Sequence, residues 1–167
     1  AAYGFRNFIL ALGYKGDYIK DYFLKQKYYE QDFEIHTGGE KDIRFLGNGV
    51  NDEDFHITLG ETGLETPHGE RVLMLKKYIP NGMFMVTYGD GVADMDIAKL
   101  VAFHKEKGKI ATITGVHPTS RWGLVNADEG GTVTQLDQKP MLYDYANGGF
   151  MVFDKRFFQF LKSGDMI

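Results

Sequence analysis

Met83-Phe84-Met85-Val86-Thr87-Tyr88-Gly89-Asp90-Gly91-Val92-Ala93-Asp94 is an apolar run that stops abruptly at an acid held between two glycines. Its β-forming residues, bounded by turn residues, predict a buried strand ending at Asp90. The next segment is helical: Ile97, Leu100, Val101 and His104 recur at helical spacing, Asp94 or Asp96 can cap its first turn, and Gly108 sits where a left-handed stop falls. In open α/β sheets, ligands bind where a strand ends in a loop and turns into a helix. Gly89 and Gly91 allow close approach to the backbone, and Asp90 is a hard-oxygen ligand suited to Mg²⁺, which takes only one or two protein carboxylates beside phosphate oxygens and water. Asp-Gly is equally a common turn dipeptide, so the local reading leaves both roles open.

The chain of 167 residues is 43% apolar and 14% aromatic, enough for one core and one expected globular domain over residues 1–167. A formal charge of −4, with 19 Lys and Arg scattered along the chain, argues against a nucleic-acid surface. No apolar run approaches the ~20 residues that span a bilayer, so no membrane partner is expected. The absence of cysteine excludes disulfides and thiol chemistry and fits a cytoplasmic location. The five histidines show no metal-ligand spacing, and no Gly-x-Ser-x-Gly elbow occurs. Both ends read as unfinished, so an internal fragment of a longer protein is expected.

Working outward, Phe8–Leu12 reads as a strand that Gly13-Tyr14-Lys15-Gly16 turns into a helix near Asp17, with Tyr18, Ile19, Tyr22 and Phe23 on one face. Phe33–His36 and Phe55–Leu59 are strand-like, and residues 47–52 form a loop. The polar stretch 60–71 feeds a helix through Val72, Leu75 and Tyr78, at whose start Arg71 offers a forked donor; a solvated loop with a surface Arg is the plainer alternative. Lys109–Val116 is a second β-rich run, expected parallel to the first because a helix intervenes. Residues 121–126 and 131–136 read as a hairpin around an acidic turn, with Trp122 a candidate core residue unless a family resemblance assigns it a pocket role. Phe157, Phe158 and Leu161 begin a last amphipathic helix.

Tyr88-Gly89-Asp90-Gly91-Val92-Ala93-Asp94-Met95-Asp96-Ile97 resembles the metal-binding segment of sugar-1-phosphate nucleotidyltransferases, and in its details the glucose-1-phosphate cytidylyltransferase branch. The resemblance runs from about Phe8 to Phe153. It implies a Rossmann-like three-layer α/β/α sandwich with a mixed, mostly parallel sheet, truncated at both ends. It places Asp90 on Mg²⁺, and Gly89, Thr66 and Arg71 on the nucleotide. It further implies that Gly123 lines the sugar pocket, that Lys139 meets the sugar phosphate, and that the Asn147 amide meets the sugar in an Asn-Gly-Gly-Phe strand. Two departures stand out: Glu70 replaces the second Gly of a Gly-Gly-Arg entry, and Gln138 replaces the Glu of Glu-Lys-Pro. A neutral amide still hydrogen-bonds hydroxyls but cannot neutralise Lys139.

The chemistry so implied is attack by the phosphate oxygen of glucose 1-phosphate on the α-phosphorus of CTP, giving CDP-glucose and pyrophosphate for nucleotide-sugar and polysaccharide biosynthesis. The nucleophile is already an anion, so Asp90 and Arg71 act by positioning and neutralising charge rather than as bases. Relatives assemble into oligomers, which implies a homo-oligomer. The family's N-terminal phosphate loop and second metal-binding Asp fall outside the chain, so these residues alone are expected to be inactive. The alternatives are a non-catalytic nucleotide-sugar-binding or regulatory module and an enzyme for another nucleotide and sugar pair.

Overall fold

The computed structural model describes residues 3–39, 42–47 and 54–167. Most of the expected loop 47–52 lies outside the described residues. Two compact units emerge, one of residues 1–80 with 158–167 and one of residues 81–157.

In the first unit, β1 (Asn7–Leu12) turns through Lys15, in the left-handed region at φ 54°, into α1 (Gly16–Glu30). β1 pairs in parallel with β4 (His56–Glu61), Leu10 opposite Leu59. Tyr18, Ile19 and Tyr22 on α1 stand exposed, while Phe23 is half-buried. β2 (Phe33–His36) pairs antiparallel with β3 (Asp42–Phe45), a short strand that the sequence pattern does not single out. Tyr28, Phe33 and Phe45 cluster there, ring centroids 5.3–5.9 Å apart. α2 (His68–Met74) tightens into a 3₁₀ turn over Leu75–Tyr78. Leu12, Leu75, Ile79, Phe158 and Leu161 form the buried core. The expected last amphipathic helix is instead a 3₁₀ turn, Lys155–Gln159, that delivers Phe158 inward.

The second unit is built on β9 (Ala146–Asp154), whose Met151, Val152 and Phe153 are almost fully buried. β5 (Met83–Thr87) and β6 (Ala111–Val116) flank β9, both antiparallel to it, so they run in the same direction as each other, as the intervening helix requires. The strand between them comes from much later in the chain, which no local pattern announces. β5 stops at Thr87 rather than Asp90, because residues 88–91 turn, with Gly91 N–H donating to the Tyr88 carbonyl at 3.4 Å. α3 (Ile97–Lys107) is capped by Asp96, which accepts from Lys99 N–H at 3.1 Å, and stops at Gly108 with φ 58°. β7 (Leu124–Ala127) and β8 (Val133–Asp137) form the expected hairpin, its turn tied by Asp128 accepting from Gly130 and Thr132. Trp122 is 75% exposed, which removes the core alternative for it. Parallel and antiparallel pairings with helical connections make this a mixed α/β fold.

Candidate active site

The loop after β4 is held to the end of β1 by its own side chains. Thr62, almost fully buried, donates both its N–H and its hydroxyl to the Leu12 carbonyl, at 2.9 and 2.8 Å. Arg71 on α2 donates through Nε to the Thr66 carbonyl at 2.8 Å, through Nη2 to the Leu64 carbonyl at 2.9 Å, and through Nη1 to Thr62 Oγ1 at 2.6 Å and the Leu12 carbonyl at 3.4 Å. Four of a guanidinium's five N–H donors are thus engaged, and one on Nη2 has no partner among the described residues. Thr66 Oγ1 donates to the Thr62 carbonyl, closing the loop on itself. At Gly13 a side chain has no room: a β-carbon there would lie 2.6 Å from Arg71 Nη1 and 2.7 Å from the Gly63 carbonyl. The Arg71 fork therefore organises the loop that carries Thr66. Glu70 turns away from it, accepting from Ser163 Oγ at 2.7 Å and Gly164 N–H at 2.9 Å. That fastening explains how a charged residue is accommodated where the resemblance has glycine.

In the second unit, the residues after β5 face solvent. Gly89, Asp90 and Gly91 are exposed, and the Asp90 carboxylate makes no hydrogen bond or ion pair with the described residues. A β-carbon at Gly89 would meet nothing within 4 Å, so its surroundings are open to a bulky ligand. Tyr88, just before the turn, receives a hydrogen bond on its hydroxyl from Asn147 Nδ2 at 3.3 Å, and Gly149 N–H donates to Asn147 Oδ1 at 2.9 Å. The Asn147 amide is thereby oriented at the start of β9, beside the end of β5. Gly149, at φ 80°, cannot be replaced cheaply, since a β-carbon would press the Tyr88 ring at 2.9 Å. A bulge in the β6–β9 ladder falls at Thr114, whose hydroxyl donates to the Phe150 carbonyl at 2.9 Å and accepts from Phe150 N–H at 3.2 Å. At the bulge lies a depression of about 470 Å³ lined by Ile113, Thr114, Gly115, Tyr145, Ala146 and Asn147.

Lys139 is exposed, makes no contact with a described polar group, and holds φ at 48° although it precedes proline. A non-glycine residue there is strained by ~1–2 kcal/mol, and strain of this kind collects at functional positions. Gly123 lies against the end of β8: its β-carbon position is 3.2 Å from Gln138 Oε1 and 3.5 Å from the Asp137 carbonyl. Gly123 and Gln138 are therefore neighbours, with Lys139 next in the chain. The structure joins Asn147 to Tyr88, two residues before Asp90, and Thr66 to Arg71.

Sequence reasoning passed over Thr62, Tyr88 and Thr114, which hold these arrangements. The signals for them, a hydroxyl or ring beside a glycine, are too common to single out. Among the described residues, no three His, Asp or Glu gather as a metal cage. An exposed single carboxylate with free lone pairs, in an open glycine turn, suits a Mg²⁺ ion that draws its other ligands from phosphate and water.

These features, an acid in a glycine turn at a strand end and a glycine-assisted loop latched by arginine, sit on an α/β framework of a recognised class. The chain belongs to the nucleotidyl transferase family, which it matches over residues 57–166. It is 36% identical over 160 residues to the probable glucose-1-phosphate cytidylyltransferase of Bacillus subtilis, an alignment covering 95% of this chain and 61% of that protein. It is also 36% identical over 155 residues to the glucose-1-phosphate cytidylyltransferase of Salmonella typhi, covering 91% of this chain and 58% of that one. The chain thus spans less than two thirds of the length of either relative. Its fold is similar to that of HddC from Yersinia pseudotuberculosis, with TM-score 0.55, 22% identity, and coverage of 93% of this chain and 59% of that one.

Proposed function

We propose that the protein to which this chain belongs transfers a cytidylyl group from CTP to glucose 1-phosphate, releasing pyrophosphate and forming CDP-glucose. The observation that carries the reading is the Asp90 turn: a carboxylate between glycines, free of partners among the described residues, in a chain 36% identical to glucose-1-phosphate cytidylyltransferases. Asp90 would hold Mg²⁺, whose charge offsets that of the phosphates. The Arg71 fork shapes the loop on which Thr66 meets the nucleotide, and Gly89 lets the nucleotide approach the backbone. Lys139 supplies a point charge to the sugar phosphate, and Gly123 and the oriented Asn147 amide bound the sugar. The role is one in cytoplasmic nucleotide-sugar biosynthesis by a homo-oligomer.

The departure at Gln138 bears on which sugar phosphate is preferred, because an amide beside Lys139 cannot offset its charge as a carboxylate would. Pyrophosphate release by the full-length protein, measured with each of CTP, UTP, ATP, GTP and dTTP against glucose 1-phosphate, tests the reading. Turnover fastest with CTP is expected. Turnover with another nucleotide alone would reassign the base, and none with any would favour a binding module.

A further inference from the structure

The depression at the start of β9 has one wall to which nothing above gives a role. Tyr145 is 75% exposed, yet it is held from several sides. Its ring lies 4.1 Å from that of His117 at 36°, and it covers the backbone of Gly115, where a β-carbon would meet Tyr145 Cδ1 at 2.9 Å. His117 is itself fixed, with Nδ1 3.1 Å from the Leu142 carbonyl, and Leu142 N–H donates to the Pro118 carbonyl at 2.9 Å. An exposed aromatic ring set down in this way is a flat apolar surface whose ordering cost has been met before any ligand arrives. Thr114 and Asn147 line the same depression.

A flat apolar wall with a polar edge matches a hexose, whose ring presents a face of C–H groups and a rim of hydroxyls. Resting on the function proposed above, we propose that Tyr145 is a specificity-determining residue that stacks on the C–H face of the pyranose of the sugar phosphate. His117 and Gly115 are positioning residues that hold the ring at its station. A nucleobase is also flat, but the depression adjoins Asn147, assigned above to the sugar, so the hexose is the occupant the observations favour.

The test uses steady-state kinetics of the full-length protein. Tyr145→Ala should raise the KM for glucose 1-phosphate about tenfold, the usual scale for losing an apolar contact of this size, with kcat and the KM for CTP within about twofold. Tyr145→Phe keeps the ring and should restore the KM. Gly115→Ala, which displaces the ring from beneath, should reproduce the rise. Inhibition by inorganic phosphate should be equal in all four proteins, because the ring meets the sugar and not the anion. An unchanged KM for glucose 1-phosphate in Tyr145→Ala, or a rise shared with CTP, would overturn the proposal. If the wild-type protein turns over no nucleotide, the functional reading fails separately, and calorimetry then decides. Tighter binding of glucose 1-phosphate than of inorganic phosphate, lost in Tyr145→Ala, supports the platform, and equal binding of the two refutes it.

Discussion

The loop that ends at Arg71 and the turn that holds Asp90 carry the same kinds of residue, yet the chain uses them differently. In the first, nearly every polar group is answered from within: Arg71 makes four internal hydrogen bonds, Thr62 is buried on the Leu12 carbonyl, and Thr66 closes on Thr62. In the second, Asp90 is exposed with its carboxylate unanswered by any described residue, and Lys139 on the same unit is exposed in a strained backbone conformation. Charge that the fold consumes contributes to stability, whereas charge left without a partner is available to a ligand. Spacing alone does not tell the two apart, because arginine in a polar loop and aspartate in a glycine turn look equally functional in a sequence.

The widest separation between the regions is expected at Asp90. Replacing it by Ala in the full-length protein should reduce Mg²⁺-dependent turnover by about a thousandfold, the scale of losing a group that stabilises developing charge, with the thermal midpoint unmoved. Turnover near that of the wild type would place the metal elsewhere.

Arg71→Ala should show the opposite balance. It strips the latch and leaves the Thr62 hydroxyl and Leu12 carbonyl with fewer partners, at a cost of about 2 kcal/mol in stability, while weakening CTP binding as the Thr66 loop loosens. Differential scanning calorimetry should find the midpoint lowered by about 4–8 °C. An unshifted midpoint together with lost CTP binding would make Arg71 a ligand like Asp90 and dissolve the distinction.

The smallest effect on turnover, with a stability change opposite in sign to that of Arg71→Ala, is expected at Lys139→Gly. Relief of the φ of 48° should leave stability equal or raised by about 0.5 kcal/mol, because the glycine gain is partly offset by the greater freedom of the unfolded chain. The KM for glucose 1-phosphate should nonetheless rise. A destabilised Lys139→Gly protein with an unchanged KM would mean that the ammonium serves the fold.

Much of this architecture was legible in the sequence because it rests on local rules. A cap at Asp94 or Asp96, which falls to Asp96, the Gly108 stop, the hairpin around Asp128 and the β1 to α1 turn each follow from a few neighbouring residues. What stayed hidden depends on distance along the chain. That β9 inserts between β5 and β6 is a long-range pairing, and so is the meeting of Asn147 with Tyr88. Trp122 illustrates the limit from the other side: a large aromatic is most often packed, but here the short hairpin beside it leaves it in solvent. The candidate site residues rest on resemblance rather than spacing, and the Arg71 contacts show why residue type alone does not suffice. A forked donor suits a carbonyl-rich loop as well as a nucleotide.

Whether the Asp90 carboxylate serves a ligand and not the fold is read by binding, without relying on turnover. Mn²⁺ can replace Mg²⁺ as a paramagnetic probe, and the full-length protein can be titrated into Mn²⁺ with CTP while the free-ion signal is followed by electron paramagnetic resonance. The wild type and Arg71→Ala are both expected to deplete the free-ion signal, Arg71→Ala requiring more CTP, whereas Asp90→Ala at the same CTP occupancy should hold the ion about tenfold more weakly. Equal Mn²⁺ affinity in the wild type and Asp90→Ala at matched CTP occupancy would contradict this.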